Sequence, residues 1–340
     1  MGRAVQSAEP RRDPRTASLD RAHGRNAARR RLSRPPAMDE ITLSVRYAAL
    51  LDRCTFPPAG EPLLCGVSGG ADSLALLVLA VAAGCDVTAV HVDHGIRPGS
   101  ESEADVVAAA ASRYGARFRS ESVAIAQGPN LEARARSARH AALGPSAALG
   151  HTADDRAETM LMNLLRGAGP DGLAGIRPGT RHPILGLRRS ETEAVCHTEG
   201  LDPVMDPSNA DPSFVRNRIR REVLPLLADV AGRDVVPILA RQGGVFAELA
   251  DHVRVEALEI DVTDAGALAA AAPAVARVAI REWLRQDDPE RHPPDGATVE
   301  RVLAVARGEA VGTEIGSGRR LRRTAGRLRI ESAPASENLH

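Results

Sequence analysis

The sequence predicts an α/β protein, a doubly wound parallel sheet with a smaller helical C-terminal domain, and three observations lead there. Pro62-Leu63-Leu64-Cys65-Gly66-Val67 is a short apolar run of the kind that forms a strand buried on both faces. It passes through a glycine-rich turn into Leu74-Ala75-Leu76-Leu77-Val78-Leu79-Ala80, which reads as a buried helix. From Pro62 to about Pro225 apolar runs keep alternating with helical stretches, and beyond Leu227 long alanine-rich helices take over.

The 340 residues allow two or three domains. Residues 1–37 are expected to be a disordered arm, because 1–36 carry ten arginines against Glu9, Asp13 and Asp20 and have no apolar period. Three readings of the arm stay open: a grip on RNA, a targeting-like peptide, or a start site upstream of Met38, which precedes the first periodic segment. A catalytic domain is expected over 38–226. It opens with a helix near 41–53 and places strands at 63–67, 87–92, 117–123, 147–150 and, briefly, 183–185, with helices between them. A helical domain over 227–309 holds helices at 235–258, 267–286 and 298–307, punctuated by Pro237 and Pro273. Residues 310–332 read as a short basic β-like tail that alternates like a hairpin around Ala325-Gly326. The segment 333–340 reads as disordered.

Formal net charge is zero, yet all 44 basic residues are arginine and the chain contains no lysine. The four cysteines, Cys54, Cys65, Cys85 and Cys196, are scattered and read as reduced core residues. No apolar stretch is long enough for a signal segment or a membrane span, so a cytoplasmic protein without a membrane partner is expected.

The turn Gly66-Val67-Ser68-Gly69-Gly70-Ala71-Asp72-Ser73 joins a strand C-terminus to a helix N-terminus. Free backbone N–H groups and the helix dipole favour an anion there, and Gly69 and Gly70 let phosphate approach the main chain. Asp72 would repel phosphate unless a divalent cation lay between them, which implies Mg2+. The bland alternative is a capped helix start. A Walker loop is excluded because its lysine is missing, and this turn lacks the Gly-x-Gly-x-x-Gly spacing of a dinucleotide site.

Ligands on doubly wound sheets sit at strand C-terminal ends, so the residues after each strand should converge. After the second strand comes His91-Val92-Asp93-His94-Gly95-Ile96-Arg97, read otherwise as a polar turn. After the fourth comes His151-Thr152-Ala153-Asp154-Asp155-Arg156-Ala157-Glu158-Thr159. Asp155, Thr159, Met162 and Arg166 share a helical face with Glu158 near its border, and the acids at the helix start should reach toward the phosphate turn. They are candidates for Mg2+ and for an amine. Asp206-Pro207-Ser208-Asn209 leads to Arg216-Asn217-Arg218-Ile219-Arg220-Arg221, where Arg216 and Arg220 share one face and Asn217 and Arg221 another. Guanidinium groups there suit nucleic-acid phosphate or a triphosphate; a solvated basic helix is the alternative.

Ser-Gly-Gly-Ala-Asp-Ser at 68–73 resembles the PP-loop of the N-type ATP pyrophosphatases, proteins with an adenine nucleotide alpha hydrolase-like fold. Together with His-Val-Asp-His-Gly-Ile-Arg-Pro at 91–98, His-Thr-Ala-Asp-Asp-Arg-Ala-Glu-Thr at 151–159, Leu-Leu-Arg-Gly at 164–167 and Asp-Pro-Ser-Asn…Arg-Asn-Arg-Ile-Arg at 206–220, it resembles the tRNA(Ile)-lysidine synthetase family, in order from about 45 to 225. The resemblance implies a ligase that uses ATP to adenylate the wobble cytidine of tRNA(Ile) with a CAU anticodon, after which free L-lysine displaces AMP. It further implies that Ser68, Gly69, Gly70, Ala71, Asp72 and Ser73 bind ATP, and that Asp72 and Asp155 organise Mg2+. Asp72, Asp155 and Glu158 would be catalytic. Asp93, Arg134, Arg136 and Glu158 would position cytidine or lysine. Arg166, Arg216, Asn217, Arg220 and Arg221 would face tRNA or phosphate, the helical unit at 227–309 would contact the anticodon and acceptor stems, and Arg320 and Arg323 of the basic tail would contact tRNA. A homodimer is compatible with the family, although the sequence itself gives no oligomeric state. Arg156 stands where the family usually has Gln, and His140 where Tyr or Phe is expected. A PP-loop tRNA sulfurtransferase and a catalytically inactive RNA-binding relative are the alternatives.

Overall fold

The computed structural model describes residues 40–93, 101–123, 134, 138, 141–205, 211–288 and 293–332. The arm at 1–37, the tail at 333–340, the His94–Arg97 half of the second motif, Arg136, His140 and Asp206–Asn209 lie outside the described residues. Four parallel strands, β1 (Pro62–Gly66), β2 (Asp86–Asp93), β3 (Arg117–Ser122) and β4 (Ala148–Leu149), form one sheet in the order β3-β2-β1-β4. The chain runs outward from β1 through β2 to β3 and then returns to the other side of β1 as β4. The reversal between β1 and β4 is the crevice where such sheets bind ligands.

Helix α2 (Ala71–Ala82) follows β1 and buries every residue from Ser73 to Ala80, as its all-round apolar sequence demands. It is wedged between the sheet, α1 (Glu40–Leu51) and α6 (Arg189–Thr198). Helix α3 (Glu101–Arg113) lines the same core through Val107, Ala110 and Ala111. The edge strand β3 is exposed and charged, with Arg119 paired to Glu121 at 2.9 Å, a composition that discourages strand addition. Below α6, the buried carboxylate of Glu199 accepts from Tyr47 (2.6 Å), Arg46 (2.8 Å) and Tyr114 (3.0 Å), so α1 and the end of α3 are tied to the end of α6. Burial alone would raise the Glu199 pKa; these donors outweigh it and hold the carboxyl below its ordinary range.

Two expectations change here. The strand expected at 183–185 is a run of turns, because the amides of His182, Leu185 and Leu187 donate to carbonyls three residues back. Ile184 is nevertheless fully buried, so the apolar signal was real and only its geometry differs. The helix expected at 267–286 is split into α10 (Ala265–Ala270) and α11 (Pro273–Asp287), since Pro273 can start a helix but has no N–H to continue one. The Gly-x-Gly-x-x-Gly spacing does occur at 167–172, but there it leaves the end of α4 (Ala153–Leu165) and opens the one-turn helix α5 (Pro170–Leu173), with no strand feeding it.

After α6, α7 (Val215–Arg218) runs through a π turn (Ile219–Val223) into α8 (Leu224–Ala231). Helix α9 (Val236–Leu258) packs on α4, α5 and α11. At Gly243 a Cβ would lie 2.8 Å from Nε of Arg156 and 3.1 Å from the Ala174 carbonyl, so a glycine lets α9 close on α4. A second core gathers α10, α11, α12 (Gly296–Arg307) and a three-stranded antiparallel sheet, β5 (Gly312–Gly316), β6 (Arg319–Thr324) and β7 (Arg327–Ser332), around Ile280, Leu303 and Leu321. The turn at Ala325-Gly326 joins β6 to β7, and a second turn at Ser317-Gly318 adds β5. All four turn residues have positive φ, as tight two-residue hairpins require. Among the described residues no helix is long and apolar enough to cross a membrane.

Candidate active site

The phosphate-type turn is built as a backbone cradle. Gly69 has φ +87°, which favours glycine, and a Cβ there would press on Val204 at 3.2 Å. Gly70 caps α2 in an extended conformation with no side-chain hydrogen bond; the Ser73 amide turns back to the Gly70 carbonyl at 3.1 Å, which leaves the Ala71 and Asp72 amides to an incoming acceptor. Ser73 is turned inward: its hydroxyl donates to the Gly70 carbonyl (2.8 Å) and accepts from the Ser68 amide (3.1 Å). Ser73 therefore shapes the loop, while Ser68 is exposed.

Beyond β4 the chain approaches the loop closely, for a Cβ at Gly150 would lie 2.8 Å from the Asp72 carbonyl. Only two residues later Thr152 caps α4, its amide and hydroxyl each donating to Oδ2 of Asp155 at 2.9 Å. One Asp155 oxygen is thus committed to the helix start. The other, Oδ1, faces Arg189 Nη2 at 3.1 Å and Arg216 Nη2 at 3.3 Å. One turn further along α4, Glu158 is completely buried and accepts from Arg220 (2.6 and 3.1 Å), Arg216 Nε (2.8 Å) and Arg189 Nη1 (3.1 Å).

Arg189 and Thr192 link this cluster to the loop. The Thr192 hydroxyl donates to Asp72, and Arg189 Nε stands 3.5 Å from Oδ2 of Asp72. Helix α6 is placed for this by Asp154, which accepts from the Arg189 amide (2.9 Å) and from the Arg188 guanidinium (3.0 and 3.2 Å). Burial pushes the Asp72 carboxyl up to about 6, aided by repulsion from Asp155 and opposed by the Thr192 bond, Arg189 and Arg220. For Asp155, burial acts in the same direction, but Arg189 and Arg216 outweigh it and hold the carboxyl below its ordinary range. Burial would lower the Arg189 pKa; the surrounding carboxylates reverse that and raise it.

The site therefore contains three carboxylates, Asp72, Asp155 and Glu158, matched by three guanidinium groups, Arg189, Arg216 and Arg220. Of the expected residues, the structure brings together the 68–73 loop, Asp155, Glu158, Arg216 and Arg220. Asp93 ends β2 at the same end of the sheet, and Arg134 is half-buried. Arg166 caps the opposite end of α4, roughly 16 Å along the axis from Asp155. Asn217 is buried and donates to the Asp211 carbonyl, closing the turn before α7. Arg221 is exposed and, with Pro212, Asn217, Arg218 and Glu222, lines a cleft of about 220 Å³.

Sequence reading missed Arg189, Thr192 and the Asp154 latch. Their signal was present but weak: Arg188 is followed three residues later by Glu191, whose side chain accepts from the Arg188 amide at 2.8 Å, a helix-start pattern.

A PP-loop domain model matches residues 43–227 of the chain. The tRNA(Ile)-lysidine synthase of Nocardia farcinica is 40% identical over 282 residues, covering 77% of this chain and 87% of that one. This chain belongs to the tRNA(Ile)-lysidine synthase family. Members from Rhodococcus jostii and Mycobacterium tuberculosis are 41% and 42% identical over 259 and 241 residues, covering 71% and 64% of this chain and 79% and 73% of theirs. The chain is thus a PP-loop enzyme of the tRNA(Ile)-lysidine synthase family, and its acid–arginine cluster lies within the matched domain.

Proposed function

We propose that the protein ligates free L-lysine to C2 of the wobble cytidine of tRNA(Ile) with a CAU anticodon, at the expense of ATP. One observation carries the reading: a backbone cradle for phosphate opens directly beside a balanced cluster of buried carboxylates and arginines. In the first step cytidine O2 attacks the α-phosphorus of ATP, the Pα–O–Pβ linkage breaks, and pyrophosphate leaves. In the second step an amine of lysine attacks C2, loses a proton, and AMP departs with the C–O bonding pair.

The free amides around Gly69–Asp72 and the Ser68 hydroxyl receive the pyrophosphate oxygens. Asp72 and Asp155 are the carboxylates that would hold Mg2+, which when bound neutralises phosphate charge. Two acids suit a cation that keeps several of its waters, and the raised Asp72 pKa marks an anion whose charge the protein only partly balances. Arg189, Arg216 and Arg220 are aimed by Glu158 and stabilise charge developing on the leaving group. Glu158, completely buried beneath the three guanidinium groups, orients them in this reading. Asp93, Arg134 and Arg136 are assigned to the cytidine and lysine side, and exposed Arg166 and Arg221 to tRNA phosphate.

A sulfurtransferase chemistry on the same loop needs reactive, paired thiols. Burial pushes the Cys54 thiol up to about 12 and the Cys196 thiol up to about 11, and Cys65 is raised further still, so these thiols are held protonated. The deciding experiment incubates tRNA(Ile) bearing CAU with ATP, Mg2+ and labelled lysine. Lysine incorporation with release of AMP and pyrophosphate supports the ligase; sulfur incorporation without lysine, or neither, overturns it.

A further inference from the structure

We propose that Arg188 and Asp234 are positioning residues for the adenylation step: Asp234 holds Arg188, Arg188 holds the Asp154 carboxylate, and Asp154 fixes Arg189 against Asp72. This rests on the ligase reading above, and it brings in a residue beyond the PP-loop match at 43–227. The Arg188 guanidinium is divided between two acids. Its Nε and Nη2 fork onto the two oxygens of Asp154 at 3.0 and 3.2 Å, and its Nη1 donates to Oδ2 of Asp234. The second Asp234 oxygen accepts from the Val236 amide at 3.0 Å, so this carboxylate is fastened to the start of α9. Asp154 Oδ2 also accepts from the Arg189 amide at 2.9 Å. A continuous run of polar contacts therefore joins the start of α9 to the arginine beside Asp72.

These contacts do more than start a helix, because the main chain is held without the Arg188 side chain. Glu191 accepts from the Arg188 amide at 2.8 Å and from the Arg53 guanidinium, which braces the first turn of α6 against the segment that follows α1. Asp234 is half-exposed, and an ion pair so open to water adds little to folding stability. What the Arg188 side chain supplies is charge control. Asp154 and Asp155 are consecutive carboxylates, and Asp72, Asp155 and Glu158 are already matched by Arg189, Arg216 and Arg220. Arg188 neutralises Asp154 from outside that cluster. Burial would lower the Arg188 pKa; Asp154 and Asp234 together reverse this. At Arg189 burial acts in the same direction, and Asp155, Glu158, Asp72 and Asp154 oppose it, so the Asp154 charge reaches this guanidinium as well.

The consequence is a competition for Arg189. With Arg188 in place both oxygens of Asp154 are engaged, and Arg189 is left to Asp72, Asp155 and Glu158. With the Arg188 side chain removed, Asp154 becomes an uncompensated anion next to Asp155 and draws the Arg189 guanidinium away from Asp72. Asp72 stands at the phosphate cradle, where a displacement of about 1 Å costs roughly 10²-fold in rate. Asp234 acts one step further out. By taking Nη1 it fixes the rotation of the guanidinium plane, so that Nε and Nη2 stay forked on Asp154. Both residues act through Arg189 rather than on the substrate.

The test measures pyrophosphate release by the full chain with ATP, Mg2+ and tRNA(Ile) bearing CAU, as kcat and as KM for ATP, in wild type, R188A, D234N, D234E and R188A/D154N. Crystal structures of R188A and D234N accompany it. R188A should lower kcat roughly 10- to 100-fold with KM for ATP within about threefold, and D234N should lower kcat about three- to tenfold. D234E keeps the charge and should stay within about twofold of wild type. Adding D154N to R188A should restore about tenfold, because the competing anion is gone while the amide oxygen still accepts from the Arg189 N–H. In the R188A structure the Arg189 side chain should be turned from Asp72 toward Asp154. An unchanged kcat in R188A and D234N overturns the positioning, as does a loss in R188A that D154N leaves in place while Arg189 still faces Asp72. Should R188A not fold, D234N and D234E carry the same comparison, and equal rates in the two overturn it. Pyrophosphate release by wild type beside an Arg189 that stays on Asp72 in R188A defeats only the positioning; a displaced Arg189 in R188A beside a wild type that releases no pyrophosphate defeats only the ligase reading.

Discussion

The chain uses one type of cation, arginine, in two opposite ways. In the α4–α6–α7 cluster, guanidinium groups are two-thirds or more buried and each is held by carboxylates within 2.6 to 3.5 Å. On the outer face of the C-terminal sheet, Arg322 and Arg329 are exposed and face only each other in register. Buried pairs fix geometry, because desolvation makes a missing partner expensive. Exposed unpaired charges fix little, but they project a field that a polyanion can find. Catalysis needs the first property and substrate capture the second.

The largest expected effect breaks the buried half. Glu158→Ala removes the buried carboxylate that three arginines share, leaving them only their longer contacts to Asp155 and Asp72, and should cost about 3–5 kcal/mol by urea unfolding, or prevent folding, whereas Glu158→Gln should cost less. A loss below about 1 kcal/mol would mean that the arginines find other partners. Arg189→Ala should lower pyrophosphate release about 10²- to 10³-fold with tRNA affinity within about twofold, separating positioning from capture. Equal loss of both would place Arg189 in tRNA binding.

Asp72 sharpens the contrast through pH. Its carboxyl is raised from the ordinary 3.8 to about 6, so the ionised form needed beside phosphate is lost in acid. Pyrophosphate release should fall about tenfold per pH unit below that value. The sign for stability is opposite: the folded state retains the proton through this window, so stability is lost as pH rises from 3.8 to about 6. Asp72→Asn should remove that loss while abolishing pyrophosphate release; a pH-stability curve that overlays wild type would refute the burial of this charge. The smallest effect lies between the regions. Gly243→Ala presses on Arg156 and the Ala174 carbonyl and should cost about 1–3 kcal/mol, with part of the cost relieved in an Arg156→Ala background.

How much of this was legible beforehand depended on range. The β1 run, the 68–73 turn and the acids of α4 are local patterns in which a few consecutive residues dictate the geometry, and they could be read directly. Helical spacing puts Arg216 and Arg220 on one face, but it does not show that Glu158 holds them, since that contact spans about 60 residues. Arg189 and Thr192 reach Asp72 across more than 100 residues of chain and carried only a faint helix-start signal. The Arg322–Arg329 pairing depends on strand register, which the turn at Ala325-Gly326 sets only once its two-residue geometry is known.

The most direct measurement asks whether the cluster beside the phosphate cradle is an adenylating centre. Wild-type protein is incubated with tRNA(Ile) bearing CAU, Mg2+ and ATP labelled in the α-phosphate, first without lysine and then with it. Labelled AMP should attach to tRNA in the absence of lysine, leave it when lysine is added, and fail to attach with Arg189→Ala. No transfer of label by wild type, or transfer undiminished in Arg189→Ala, would contradict the assignment of this site.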